Sequence, residues 1–471
     1  MKQLGVLDSA FVNLELPGTP QHVGGLGIYD PSTAPGGFVR FKSVIAGFER
    51  RLRRTPQFRA RLQQVPGGLD RPYWIIDEDF DLEFHVRHIA LPAPGDWRQL
   101  CIQVARLHAR ALDFSRPLWE AWIIEGLDNV PGLPRGSFAI YGKLHHALFD
   151  GAGGQVFVDA LHDLEPVPAD DPPASAQDRL YADEALGEAQ MLGRAAMHQL
   201  ANGIDMAQGI LRAGGEIARM LLGRGGDGGS ALPVSAPRTR FNEPVGPHRS
   251  FEAASFALAD FRALREASGA RLNALALTVV GGALRRYLGA RAELPEHALN
   301  AAIPLDLRRR RADSGDANQV GAAYLSLHTD IADPLQRLEA VRRDADRVRE
   351  SGARNPLVDT MKLAGLLPPV VARAASDFYA AHGLTRWMPL VTSTVVANAA
   401  GPEITLYCAG ARLVRYHGLG PLSPGMGIYH TVFSCNNALT ISMVADRERM
   451  PDPGFYRECL EESFAELRDA L

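Results

Sequence analysis

Lys143-Leu144-His145-His146-Ala147-Leu148-Phe149-Asp150-Gly151-Ala152-Gly153-Gly154 is the densest concentration of chemistry in the chain. A β-like run, Ser137–Leu144, leads into it, and a helix-like segment, Gln155–Leu164, leads out. Neighbouring side chains of an extended strand point to opposite faces, so only one of His145 and His146 is expected to face a cleft. Asp150 has two compatible roles, capping the helix that follows and bracing the turn that holds the imidazole. Gly151 and the glycines after it let the backbone turn tightly and let a large ligand come close. A metal site would need His146 and Asp150 on one helical face and a third ligand at matched spacing. The approach to His146 is strand-like and no such ligand is present, so no metal is expected.

Outward from this stretch, strand-like and helix-like segments alternate in both directions. Before it, Gly24–Tyr29, Trp74–Ile76, Leu82–Ile89 and Trp119–Glu125 read as extended, and Phe41–Thr55 and Leu100–Leu112 as helical. After it come a Pro/Asp-rich break at Glu165–Ala174, a helical stretch Asp183–Leu222 and the flexible tract Gly223–Pro237. Beyond that tract, Phe251–Leu258, Leu299–Pro304, Gly321–Leu327, Leu390–Val396, Leu406–Tyr407 and Ala438–Val444 read as strands. Ala259–Gly269, Asn273–Leu288, Pro334–Arg349 and Asp452–Leu471 read as helices. The fold class is α/β, and the 471 residues exceed what one core usually organises. The expected parts are a first domain over 1–182, a helical segment and linker over 183–240, and a second domain over 241–471.

Composition removes several function classes. Lys and Arg total 50 against 54 Asp and Glu, a net charge of -4, and no basic block interleaves with aromatics, so nucleic acid is not an expected partner. The four cysteines are scattered without a C-x-x-C pair, which argues against a disulfide framework and for a reducing compartment. Asp8 interrupts any apolar signal core, and runs such as Ala274–Leu284 are too short to span a bilayer. A cytoplasmic protein is expected. In the helical stretch Met191–Leu222, Ile204, Leu211 and Ala218 recur seven apart among Arg194, Arg212 and Arg219, a pattern that suits packing or a lipid surface.

His145-His146-Ala-Leu-Phe-Asp150-Gly151 resembles the HHxxxDG motif of the bacterial wax ester synthase/diacylglycerol acyltransferase family, a group of chloramphenicol acetyltransferase-like, CoA-dependent enzymes. Further stretches are similar to that family in the same order. They are Leu7-Asp-Ser-Ala-Phe11 with Glu15 and His22-Val-Gly-Gly25, then Arg116-Pro-Leu-Trp119-Glu120, then Asn242–Arg249. Next come Asn273 and its apolar helix, Ile303–Arg308 with Asn318-Gln-Val320, and Asn398 through Gly410-Ala-Arg412. Two departures stand out: the family's Asn-Asp pair is Asn273-Ala274 here, and its Ser-Asn-Val-Pro-Gly-Pro turn begins Ala397-Asn398-Ala399-Ala400.

The resemblance implies two acyltransferase-like domains, each a mixed sheet flanked by helices, with a tunnel between them. It implies an O-acyltransferase that makes wax esters or triacylglycerol from an acyl-CoA and a fatty alcohol or diacylglycerol, with acyl-CoA as donor substrate and no permanently bound cofactor. His146 matches the family's general base, with His145 and Asp150 as its supports and Gly151, Asn273, Glu15 and Trp119 as further supporting, oxyanion or tunnel residues, although a Pro-Leu-Trp run is more often core packing. Imidazole suits the task because its reference pKa of about 6.5 lets it both accept and return a proton near neutrality. Arg308 and Arg309, in an arginine run, have CoA phosphates as one reading and a solvated loop as the other. No serine or cysteine lies in a recognisable nucleophile context. Peripheral contact with a membrane or lipid inclusion follows from the substrates. A condensation-type enzyme with another acceptor and a non-catalytic CoA- or lipid-binding scaffold remain as alternatives.

Overall fold

The structure is a computed structural model that describes residues 2–16, 18–52, 55–148, 158, 161–167, 186–200, 203, 236–306, 320–350, 364–383, 390, 392–402 and 404–471. The first half runs β1 (Lys2–Gln3), α1 (Val6–Asn13), β2 (His22–Asp30), α2 (Phe41–Leu52), β3 (Ala60–Gln63), β4 (Tyr73–Ile76), α3 (Leu82–His85), β5 (Val86–Ala90), α4 (Trp97–His108), β6 (Trp119–Glu125) and β7 (Phe138–His145). A helix over 188–200, α5, follows. Then come β8 (Arg249–Ala257), α6 (Leu258–Ser268), α7 (Leu272–Gly289), β9 (Asn300–Asp306), β10 (Val320–Ser326), α8 (Pro334–Glu350) and α9 (Pro369–Ala381). The chain ends with β11 (Thr394–Ala400), β12 (Tyr407–Cys408), β13 (Ala411–Leu419), β14 (Ile428–Cys435), β15 (Ala438–Asp446) and α10 (Pro453–Ala470).

Two six-stranded mixed sheets flanked by helices form the frame, with strand orders β12-β13-β2-β7-β6-β5 and β10-β9-β11-β14-β15-β8. The expected α/β class is what the chain adopts. Sheet membership does not follow chain order: β13, from the last quarter of the sequence, pairs antiparallel with β2, joining Leu419 to Gly24 and His417 to Leu26. The first sheet therefore needs residues 407–419 to be complete. The two sheets meet beside it, where the Tyr416 and Phe433 rings lie 4.6 Å apart and α4 packs its apolar face toward β8.

Local causes are visible. β7 is buried along its whole length, as befits a central strand covered on both faces. β2 carries glycines because tyrosine rings lie flat against it. A β-carbon at Gly25 would overlap the Tyr416 hydroxyl, and one at Gly24 would crowd Tyr141. α4 starts with a full capping box, in which Asp96 accepts from the Gln99 amide at 2.8 Å and Gln99 reaches back to the Asp96 N–H at 3.3 Å. α7 is apolar on nearly every side and lies inside the core of the second sheet. No single described helix is long and apolar enough to cross a membrane.

Two sequence readings change. Leu82–Ile89 is not one strand: Asp81 accepts a hydrogen bond from the Glu83 N–H at 2.9 Å and caps a single helical turn before β5 begins. Helix α1, strands β13 and β14 and helix α9 appear where the sequence pattern suggested no element. The helical stretch Asp183–Leu222 is described as helix over 188–200, and its continuation and the tract 223–235 lie outside the described residues.

Candidate active site

The histidine pair sits where β7 leaves its sheet. His145 is the strand's last residue, in register with His22 of β2, and His146 opens a single 3-10 turn to Leu148. Both backbones are pinned from either side: the His145 N–H donates to Leu118 O and the His146 N–H to Gln21 O, each at 2.9 Å. The 3-10 turn breaks the strand's alternation and turns the two rings into different surroundings.

His145 is wholly buried. Its Nδ1 accepts from the Ala147 N–H at 3.1 Å, which leaves the ring proton on Nε2, and Nε2–H donates to Glu15 Oε2 at 3.0 Å. The same carboxylate oxygen accepts from the Gln21 N–H at 2.8 Å, and the Phe114 ring stands edge-on 5.2 Å away. Tautomer and orientation are both fixed. A ring held this way props its neighbour and has no nitrogen left for a substrate.

His146 differs. It is partly exposed, whereas Leu144, His145, Ala147 and Leu148 are buried. Its ring stacks on Phe11 with centroids 4.1 Å apart and planes 9° from parallel, an arrangement worth about 0.5–1.5 kcal/mol beyond area burial. Burial, followed by the adjacent His145, lowers its pKa to about 3. The imidazole is thus neutral across the physiological range, the form that accepts a proton.

The remaining predicted residues divide. Glu15 joins the histidine pair directly. Asn273, at the start of α7, accepts at Oδ1 from the Asn398 side-chain amide at 3.2 Å, so the two segments that depart from the family pattern meet through the asparagines that keep it. Ala274 is buried in the core beneath. Trp119 has no exposed surface; its indole N–H donates to Phe58 O at 2.7 Å and its ring stacks on His85, so it packs the core of the first sheet rather than a tunnel wall. Asp150, Gly151, Arg308 and Arg309 lie outside the described residues. Among the described residues, no three His, Cys, Asp or Glu side chains are grouped to hold a metal ion.

Phe11, Gln21 and Phe114 complete the site and had not been assigned a role there. Phe11 lay inside the Leu7–Phe11 signature, where it read as one more apolar residue. Gln21 acts through its backbone, which leaves no side-chain trace in a sequence.

Comparisons with known proteins identify the family. The family model for the wax ester synthase/diacylglycerol acyltransferase catalytic domain matches residues 4–276, and the model for the family's C-terminal domain matches 317–468. A putative diacylglycerol O-acyltransferase of Mycobacterium tuberculosis is 32% identical over 468 residues, covering 99% of each chain. The wax ester synthase/diacylglycerol acyltransferase of Marinobacter aquaeolei superposes with a TM-score of 0.69 at 25% identity, covering 100% of this chain and 99% of that one. A trichothecene 15-O-acetyltransferase of Fusarium sporotrichioides, 12% identical with a TM-score of 0.60 over 99% of this chain and 94% of its own, shares the fold. The chain belongs to the wax ester synthase/diacylglycerol acyltransferase family.

Proposed function

We propose that this O-acyltransferase moves the acyl group of an acyl-CoA onto the hydroxyl of diacylglycerol or a fatty alcohol, with His146 as general base. Diacylglycerol is placed first because it is the acceptor named for the mycobacterial relatives. The supporting observation is the division of labour within the pair: His145 is locked to Glu15, and His146 is neutral and partly exposed. The acceptor oxygen attacks the thioester carbonyl as a His146 ring nitrogen takes its proton. The C–S bond then breaks, and the imidazolium returns that proton to the sulfur, giving the ester and free CoA. Asn273 is the candidate amide donor to the oxyanion.

Transfer is direct, without an acyl-enzyme. Burial raises the thiol pKa of every cysteine, to about 12 for Cys408, about 11 for Cys435 and Cys459 and well above the usual value for Cys101, so none offers a thiolate. In a His146→Ala enzyme, CoA thiol release and ester formation should fall together by about 10²–10⁴. Near-full synthesis would remove His146 from this role.

An apolar lipid substrate also needs a docking face. α5 exposes Leu192, Met197 and Leu200, and α9 exposes Val370, Val371 and Phe378. The turn before Leu69 joins them, with Gly68 against Val370 and the Gln199 amide donating to Leu69 O. Arg194 and Arg373 stand exposed on these helices together with Glu188 and Asp377, so the face is apolar and close to neutral, a composition suited to a lipid surface. Met197→Glu combined with Leu200→Glu should abolish flotation with neutral phospholipid vesicles; unchanged flotation refutes this face.

A further inference from the structure

We propose that Phe11 is a positioning residue for His146: its ring, 4.1 Å away and 9° from parallel, fixes the plane in which the imidazole meets the acceptor hydroxyl and closes one ring face to water. The inference rests on the reading of His146 as the base.

The second torsion of a histidine side chain is broad and does not fix the ring plane by itself. Hydrogen bonds to the ring do this for His145. His146 has a flat platform against its ring, and rotation about Cβ–Cγ would drive a ring edge into the phenyl face. With one face covered, the imidazole presents its edge, where both nitrogens lie. A proton can then be exchanged only along directions in the ring plane, the geometry that an in-line relay from hydroxyl to leaving sulfur requires.

The platform must itself be held. α1 has eight residues, begins at Gly5 without a side-chain cap and is too short to persist in isolation. Its seat comes from the far end of the chain. The Asn13 side-chain amide donates to Ala364 O at 3.0 Å and to Leu367 O at 3.4 Å, and the Ser376 hydroxyl donates to Asn13 O at 3.3 Å. Gly365 lies so close to the Val6 carbonyl that a β-carbon there would overlap it. Glu15, two residues beyond the helix, engages His145, and Phe11, within it, engages His146. One seated segment therefore sets both rings.

The test uses full-length enzyme, a long-chain acyl-CoA and diacylglycerol in mixed micelles. Phe11→Leu keeps apolar bulk and removes the flat face: kcat should fall about tenfold or more while the acyl-CoA KM stays within about twofold. Phe11→Ala also admits water, so the acid limb of kcat/KM should move up by about one pH unit toward the ordinary histidine value. Phe11→Tyr keeps the ring and should restore both to near wild type. The proposal is overturned if Phe11→Leu matches Phe11→Tyr in kcat, or if all three variants lose activity in proportion to a lowered melting temperature with no change in the acid limb. Ring titration of His146 by NMR, without substrate, separates this idea from the one beneath it. A titration shifted in Phe11→Ala together with full activity in His146→Ala would keep the contact and discard the base.

Discussion

The two six-stranded sheets differ most in the histidines they bury. Around the second, α7 and α10 pack an almost wholly apolar core of Leu, Val, Ala and aromatic side chains. The first carries polar groups into its interior. Lys143 is fully buried, 3.6 Å from Glu120 and donating to Leu107 O and Arg110 O. His22 bonds to His108 O, His108 to the Tyr141 hydroxyl, and His162 to the Tyr29 hydroxyl. Buried polar groups cost desolvation unless every partner is in place. The half that orients the histidine pair therefore depends on exact internal matching, and the other half sets a large apolar core beside a few buried charges, Arg249, Glu252, Arg337 and Asp446.

The largest expected consequence is a difference in acid stability. Besides His145, five buried histidines lie in or against the first sheet: His22, His85, His108, His162 and His417. Burial is the first cause of depression in each, to about 4 for His85 and His162, to about 3 for His108 and His417, and well below the usual value for His22. The second sheet has His430, also lowered to about 3. A base whose folded pKa lies below its unfolded value takes up protons first in the unfolded state. Stability is therefore unaffected above about pH 6.5 and falls from there toward pH 3–4, by up to about 1.4 kcal/mol per pH unit for each group. Hydrogen exchange followed from pH 7 to pH 5 should show β2, β7 and β13 losing protection before β8 and β15. Simultaneous loss would mean that the contrast between the sheets has no energetic content.

A smaller effect isolates the buried cation. Lys143→Met keeps the stem and removes the charge, leaving Glu120 with Arg87 at 3.7 Å as its remaining cation. Breaking a buried pair from one side costs about 3–5 kcal/mol, and the second cation places this case at the lower end. Denaturant unfolding measures it, and a change below about 1 kcal/mol would show that Lys143 is held for some reason other than the pair.

Legibility in the sequence follows how local each feature is. The histidine pair and its leading strand were readable because the motif and the strand period are written within a few residues, whereas Glu15, 130 positions from His145, was named only through the family resemblance. α7 was readable from its long apolar run. β13 was not: a bulge between Leu413 and Arg415 breaks its alternation, and Arg412, Arg415 and His417 make it look like a polar loop. Its place beside β2 depends on pairing across almost 400 positions, which no local pattern records. α1 was visible as a signature and hidden as a helix, because its stability comes from Asn13 contacting a segment near residue 364. Trp119 admits two readings in the sequence, core and tunnel wall, for a related reason. A tryptophan beside proline and leucine has the same local pattern in a wall as in a core, and only the Phe58 carbonyl and the His85 ring decide between them.

The smallest effect tests whether the scaffold half reaches into the chemistry at all. Asn273 and Asn398 form one exposed side-chain hydrogen bond between the start of α7 and β11. Because Asn273 Oδ1 is the acceptor, its own amide group is turned the other way, as a donor to an oxyanion requires. Asn398→Ala should cost about 0.5–1 kcal/mol of stability and lower kcat a few-fold without moving KM, since the amide keeps its place and loses only its orientation. Asn398→Asp retains an acceptor but no donor, so it should behave like the alanine variant. If the aspartate variant keeps full kcat, the bond does not orient Asn273, and the second sheet contributes structure alone.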